Sequence, residues 1–179
     1  INSNKKGLDH TLYDQLEAIY NKSCIVDGKS IPYLTKDEFE NLSISQGTLT
    51  SQERDVMNNH ASLSRKILKK LSWPKKMSNI PFVAGSHHEK LDGSGYPLHL
   101  KKNDLNLQSR ILTIADIFEA LSAPDRPYKN PMRLSQTVTV LKQMCDQGLI
   151  DKNIITLFLE SGTHIKYAKK HLSASQIDL

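Results

Sequence analysis

The chain has 179 residues and a mass of 20.2 kDa, which suits one domain, or one domain with an appendage. Hydrophobic residues make up 38% and charged residues 24%. That mix is too apolar for a disordered chain, and no apolar run nears the roughly 18 residues of a membrane span. The net charge of +5, with a pI near 9.1, favours anionic partners such as phosphates but falls short of a nucleic-acid-binding stripe, so no nucleic acid polymer is expected.

Cys24 and Cys145 cannot build a disulfide framework and lack metal-site spacing, which fits a reducing, cytoplasmic setting. No basic-then-apolar leader opens the chain. It begins at Ile1 rather than Met, so a trimmed or excised piece of something longer is expected.

The first predicted helix covers Asp9 to Tyr20, with Leu12, Leu16, Ile19 and Tyr20 at helical spacing. A turn follows at residues 26–29. Thr35 with Glu38, and Thr50 with Glu53, read as capping boxes. The first opens a helix to about Leu42 and the second a longer one ending near Leu71, before the break at Trp73-Pro74. Ile80 to His88 reads as a short apolar helix, and Glu89 to Leu107 as a loop. Residues 108–123 are apolar on nearly all sides, which predicts a buried central helix. After the prolines at 124, 127 and 131, helices are expected at Leu134–Asp146, Asp151–Glu160 and Thr163–Leu172. Alternation is too brief anywhere to suggest a sheet. The expectation is an all-α protein, with a helical segment over 1–45 and the main domain over 46–179.

The strongest chemical signal is His87-His88-Glu89. Adjacent histidines at a helix end can aim at one pocket, and imidazole is a common ligand for Zn, Fe, Mn and Ni. A pair of surface histidines is the plainer alternative. The apolar residues before the pair, and Gly93, Gly95 and Pro97 after it, shift the balance, because glycine permits close approach to a ligand. His60 falls on the apolar stripe Val56, Leu63, Ile67, Leu71 and is expected to point inward. Asp116 lies in a run apolar on both sides, where an unpaired carboxylate would be costly. Three histidines and one carboxylate point to a catalytic ion (Fe, Mn or Zn) rather than a thiolate zinc site. Phosphoester hydrolysis is the natural chemistry for such an ion. Arg126 and Lys129, on a proline-stiffened loop, could clamp phosphate oxygens, although a solvated basic loop is the commoner fate of such pairs.

The eleven residues from His87 to Pro97 resemble the HHExxDGxGYP signature of the HD-GYP domains. Residues 47–60 resemble that family's capped helix with its histidine, and 114–129 its central helix and basic loop. The resemblance spans Tyr33 to Leu172. It implies an HD-domain-like helical bundle hydrolysing cyclic di-GMP with two or three divalent ions (Fe, Mn or similar). It also implies His60, His87, His88 and Asp116 as metal ligands, Arg126 and Lys129 on a substrate phosphate, and Gly95, Tyr96 and Pro97 shaping the substrate side. That last loop would also contact a partner signalling domain.

One departure is plain. The seven histidines are followed by Thr, Ala, His, Glu, Leu, Ile and Leu, so the His-Asp pair that names the family is missing. It is expected before Ile1, together with a sensor or receiver domain. Residues 8–42 resemble an insertion that some members carry after that pair. At most one ion is expected in this chain. The competing readings are a non-catalytic module docking a partner through the Gly95–Pro97 loop, and a hydrolase of another nucleotide from the wider HD superfamily.

Overall fold

The computed structural model describes residues 8–44, 47, 49–123 and 131–179. Its contacts divide the chain into two units, 1–57 and 58–179. Its described residues are mostly helical, with one small hairpin.

In the first unit, α1 (His10–Tyr20) starts where the Asp9 carboxylate accepts from the Leu12 amide at 2.8 Å. β1 (Ser23–Val26) and β2 (Lys29–Pro32) pair antiparallel, with Val26 opposite Lys29. This hairpin corrects the expectation of no sheet. Asp27 and Gly28 have φ of 52° and 75°, the doubly left-handed pair that a two-residue hairpin turn requires. The Asp-Gly signal was there, but strands of four residues are too short for alternation to register. In α2 (Lys36–Leu42) the capping box is complete: Glu38 N–H donates to Thr35 Oγ1, and Glu38 Oε2 accepts from Thr35 N–H. Tyr20 stacks on Phe39 at 4.4 Å between centroids, and Tyr13 meets Phe39 edge-on. No described residue of this unit is fully buried.

α3 (Ser51–Leu68) opens on the predicted Thr50–Glu53 box and continues into the second unit. It stops three residues early. Lys70 and Leu71 bond back to Ile67 and Leu68 in tighter i−3 turns, and the Trp73 indole donates to the Leu68 carbonyl. α4 (Ile80–Gly85) is also shorter than expected: Ser86 ends it, and the histidine pair follows on a turn closed by Glu89 N–H to the Ser86 carbonyl.

α5 (Leu107–Ser122), α6 (Leu134–Asp146), α7 (Lys152–Glu160) and α8 (Thr163–His171) enclose the core. That core is Ile114, Phe118, Leu134, Leu141, Ile150, Ile155 and Ala168. Phe118 takes Phe158 and Tyr167 edge-to-face at 5.1 and 5.5 Å. α5 is buried on one face only, through Ser109, Thr113, Ile114, Phe118 and Ser122; Leu107, Ile111 and Leu112 are exposed on the other. The expectation of an all-round buried helix is corrected accordingly. A buried 2.7 Å bond from Ser86 Oγ to Ser109 Oγ ties the end of α4 to α5. Gln176, nearly inaccessible, donates from Nε2 to the carbonyls of Ser122 and Met132. No described helix is long and apolar enough to cross a membrane.

Candidate metal centre

α3 and α4 bring His60, His87 and His88 together. Their donor atoms all lie within 4.8 Å of one another. His60 Nε2 stands 3.2 Å from His87 Nε2 and 3.0 Å from His88 Nε2.

The expected route to this arrangement needs correction. Val56, Leu63 and Ile67 of α3, and Leu71 just beyond it, are all at least half exposed, and His60 itself is exposed. The contact that counts runs along a different line of the helix. Ala61 is fully buried, and Arg65, four residues on, faces Gly85 of α4. A Cβ on Gly85 would sit 2.6 Å from Arg65 Cβ, so glycine lets α4 come close enough for its trailing histidines to reach His60.

Two of the rings are held in a ligating tautomer. The Ala84 carbonyl accepts from His87 Nδ1 at 2.6 Å, which puts the proton on Nδ1 and leaves the Nε2 lone pair free. His88 Nδ1 lies 3.5 Å from Asp116 Oδ2, which favours the same tautomer. Partial burial, then the neighbouring His87, pulls the His88 pKa down to about 4; Asp116 opposes this and His60 adds to it. His88 is therefore neutral at pH 7, and its approach to Asp116 is polar rather than an ion pair. Two bare Nε2 atoms thus face His60 Nε2 at hydrogen-bond distance, and one imidazole proton cannot serve both well. A cation between them can. The 3.2 and 3.0 Å separations are short enough for these nitrogens to be donors to one small divalent ion. Asp116 stands outside the group of three, on the far nitrogen of His88.

The loop after the histidines is built on Glu89. Its side chain is fully buried, and its two oxygens accept from the backbone amides of Leu98 at 2.6 Å and Leu100 at 2.9 Å. A Cβ on Gly95 would collide with the Glu89 and Lys90 backbone. The Tyr96 amide donates to the His88 carbonyl at 3.2 Å, and its ring lies 4.7 Å from the His88 ring. Burial, with Asp116 nearby, raises the Tyr96 pKa. The Tyr96–Pro97 peptide is cis. Sequence reasoning assigned Glu89 no role. The clue was a carboxylate heading a glycine- and proline-rich loop whose amides need acceptors. Arg126 and Lys129 lie outside the described residues.

The HD domain model matches residues 37–154. This chain belongs to the HD domain family. Its residues 87–97 carry the signature of the HD-GYP branch, and divalent-metal binding is general to such domains. A Vibrio cholerae protein named 3'3'-cGAMP-specific phosphodiesterase 3 is 40% identical over 97 residues, or 54% of this chain and 20% of its own length. Another from that organism, a probable cyclic di-GMP phosphodiesterase, is 37% identical over 73% of this chain and 31% of itself. A Thermotoga maritima cyclic di-GMP phosphodiesterase is 30% identical over 68% of this chain and 32% of itself. The HD-GYP chain spans between a fifth and a third of these curated relatives.

Proposed function

We propose that this HD-GYP chain supplies the histidine face of a metal-dependent phosphodiesterase acting on cyclic di-GMP. The observation that carries this reading is the convergence of three imidazole nitrogens, two in a ligating tautomer, beside the Tyr96 loop. His60, His87 and His88 hold one divalent ion, such as Fe or Mn. A bound ion of this kind polarises a phosphoryl oxygen and acidifies water.

The chain's own residues orient the rest. Asp116 keeps the proton on His88 Nδ1 and adds a negative charge at the rim. Glu89 fixes residues 95–100, so Tyr96 offers a ring face and a protonated hydroxyl to the substrate side. Arg126 and Lys129 take the substrate phosphate, because both stay cationic at neutral pH and neither suits metal ligation. A complete domain holds two or three ions. The Gly95–Pro97 surface also serves as a contact for a partner signalling domain.

Three of the relatives are named for 3'3'-cGAMP, so the second reading within the class is that mixed cyclic dinucleotide. The deciding experiment incubates the full-length protein with cyclic di-GMP, 3'3'-cGAMP and a linear dinucleotide under Mn²⁺. Preferred hydrolysis of cyclic di-GMP supports the proposal. Turnover of 3'3'-cGAMP alone moves it to the second reading, and no turnover of either cyclic compound supports a non-catalytic docking module.

A further inference from the structure

Between Asp55 and Glu89 there is no acidic residue, yet the segment holds Arg65, Lys66, Lys69, Lys70, Lys75 and Lys76. These six charges exceed the net +5 of the whole chain, so the excess is concentrated here. The five lysines fall within eleven residues, from the last turn of α3 through the 3₁₀ turn Lys75–Met77. All five are exposed, and among the described residues none forms an ion pair. The Trp73 indole, bonded to the Leu68 carbonyl, and the Met77 amide, bonded to the Pro74 carbonyl, keep this stretch folded at the helix end. Ile67, Leu71 and Met77 are interleaved with the lysines and are 54%, 54% and 51% exposed.

We infer that the turn joining α3 to α4 is a docking surface for an anionic lipid bilayer. The lysines meet the phosphate headgroups, while Ile67, Leu71 and Met77 enter the boundary between headgroups and acyl chains. A soluble anion or an acidic peptide would need the charges but not the three exposed apolar side chains; the bilayer boundary takes both together. The lysines lie 6 to 16 residues beyond His60, and of the five only Lys66 is within α3.

The test is co-sedimentation of the chain with vesicles. One set is pure phosphatidylcholine; the other is equal parts phosphatidylcholine and phosphatidylglycerol. Binding to the second set alone, weakened by salt, is expected. Each lysine removed should cost about fivefold in partitioning. The variant combining Lys69→Ala, Lys70→Ala, Lys75→Ala and Lys76→Ala should therefore stay in the supernatant. Its fold is checked by circular dichroism, and all four positions are solvent-facing. His88→Ala should sediment like the wild type, so the outcome is independent of the metal reading. Absence of sedimentation, or equal sedimentation of the fourfold variant, overturns the inference. Capture on immobilised polyglutamate without vesicle binding also overturns it, in favour of an acidic protein partner.

Discussion

His88 shows how one residue couples the site to pH. Its folded pKa near 4 lies below the ordinary histidine value of 6.5, so the folded state binds fewer protons than the unfolded state between those values. Stability is full above pH 6.5 and declines as pH falls toward 4. A series of thermal melts across that range should show the decline, and His88→Gln should flatten it. Glu89 makes the opposite kind of contribution, structural and buried. Glu89→Gln keeps one acceptor oxygen for one of the two backbone amides but sets an NH2 donor against the other, which should cost about 2 kcal/mol and loosen Tyr96 from His88. Chemical denaturation and loss of the Tyr96 ring contact in NMR spectra would check it. Arg126→Ala should lower affinity or turnover in the full-length protein about 10- to 100-fold without changing metal content; unchanged kinetics would return that loop to solvent. His87 and His88 were legible as a dipeptide in an apolar-then-glycine context. His60 was found through a stripe that turns out to be exposed, so its selection rested on periodicity and the family resemblance rather than on burial. Glu89 escaped because its partners are backbone amides nine and eleven residues away, which no side-chain pattern encodes.

At the scale of elements, the distance between α3 and α4 is set by what Gly85 lacks. Gly85→Val puts side-chain atoms where Arg65 already lies and should push α3 off α4, carrying His60 away from the pair. Metal affinity should fall by about 10- to 100-fold although no ligand has changed; calorimetric titration of the variant measures this directly. Retained affinity would mean that another contact holds the helices. Most of the helices were legible because caps and apolar spacing agree: the predicted α2, α6, α7 and α8 match closely in extent. The misses share a cause. The ends of α3 and α4 depend on Trp73 and Ser86 hydrogen-bonding to specific carbonyls, and the hairpin depends on two left-handed residues. These are single-residue events that periodicity averages away.

For the whole molecule, the two units differ in what holds them. Residues 8–44 include no fully buried side chain and rely on three aromatic rings, whereas the second unit has a continuous apolar core. Hydrogen exchange should therefore be fast throughout α1, β1, β2 and α2 and slowest in α5 and α6; equal protection in both units would contradict this. Composition and periodicity made the helical class legible. The central claim is that His60, His87 and His88 form one metal site. Its most direct measurement is a calorimetric Mn²⁺ titration of the chain, alongside His60→Ala, His87→Ala and His88→Ala. One ion per chain is predicted, with binding lost or severely weakened in every variant. Absence of binding to the wild type, or binding that survives all three substitutions, would contradict the account.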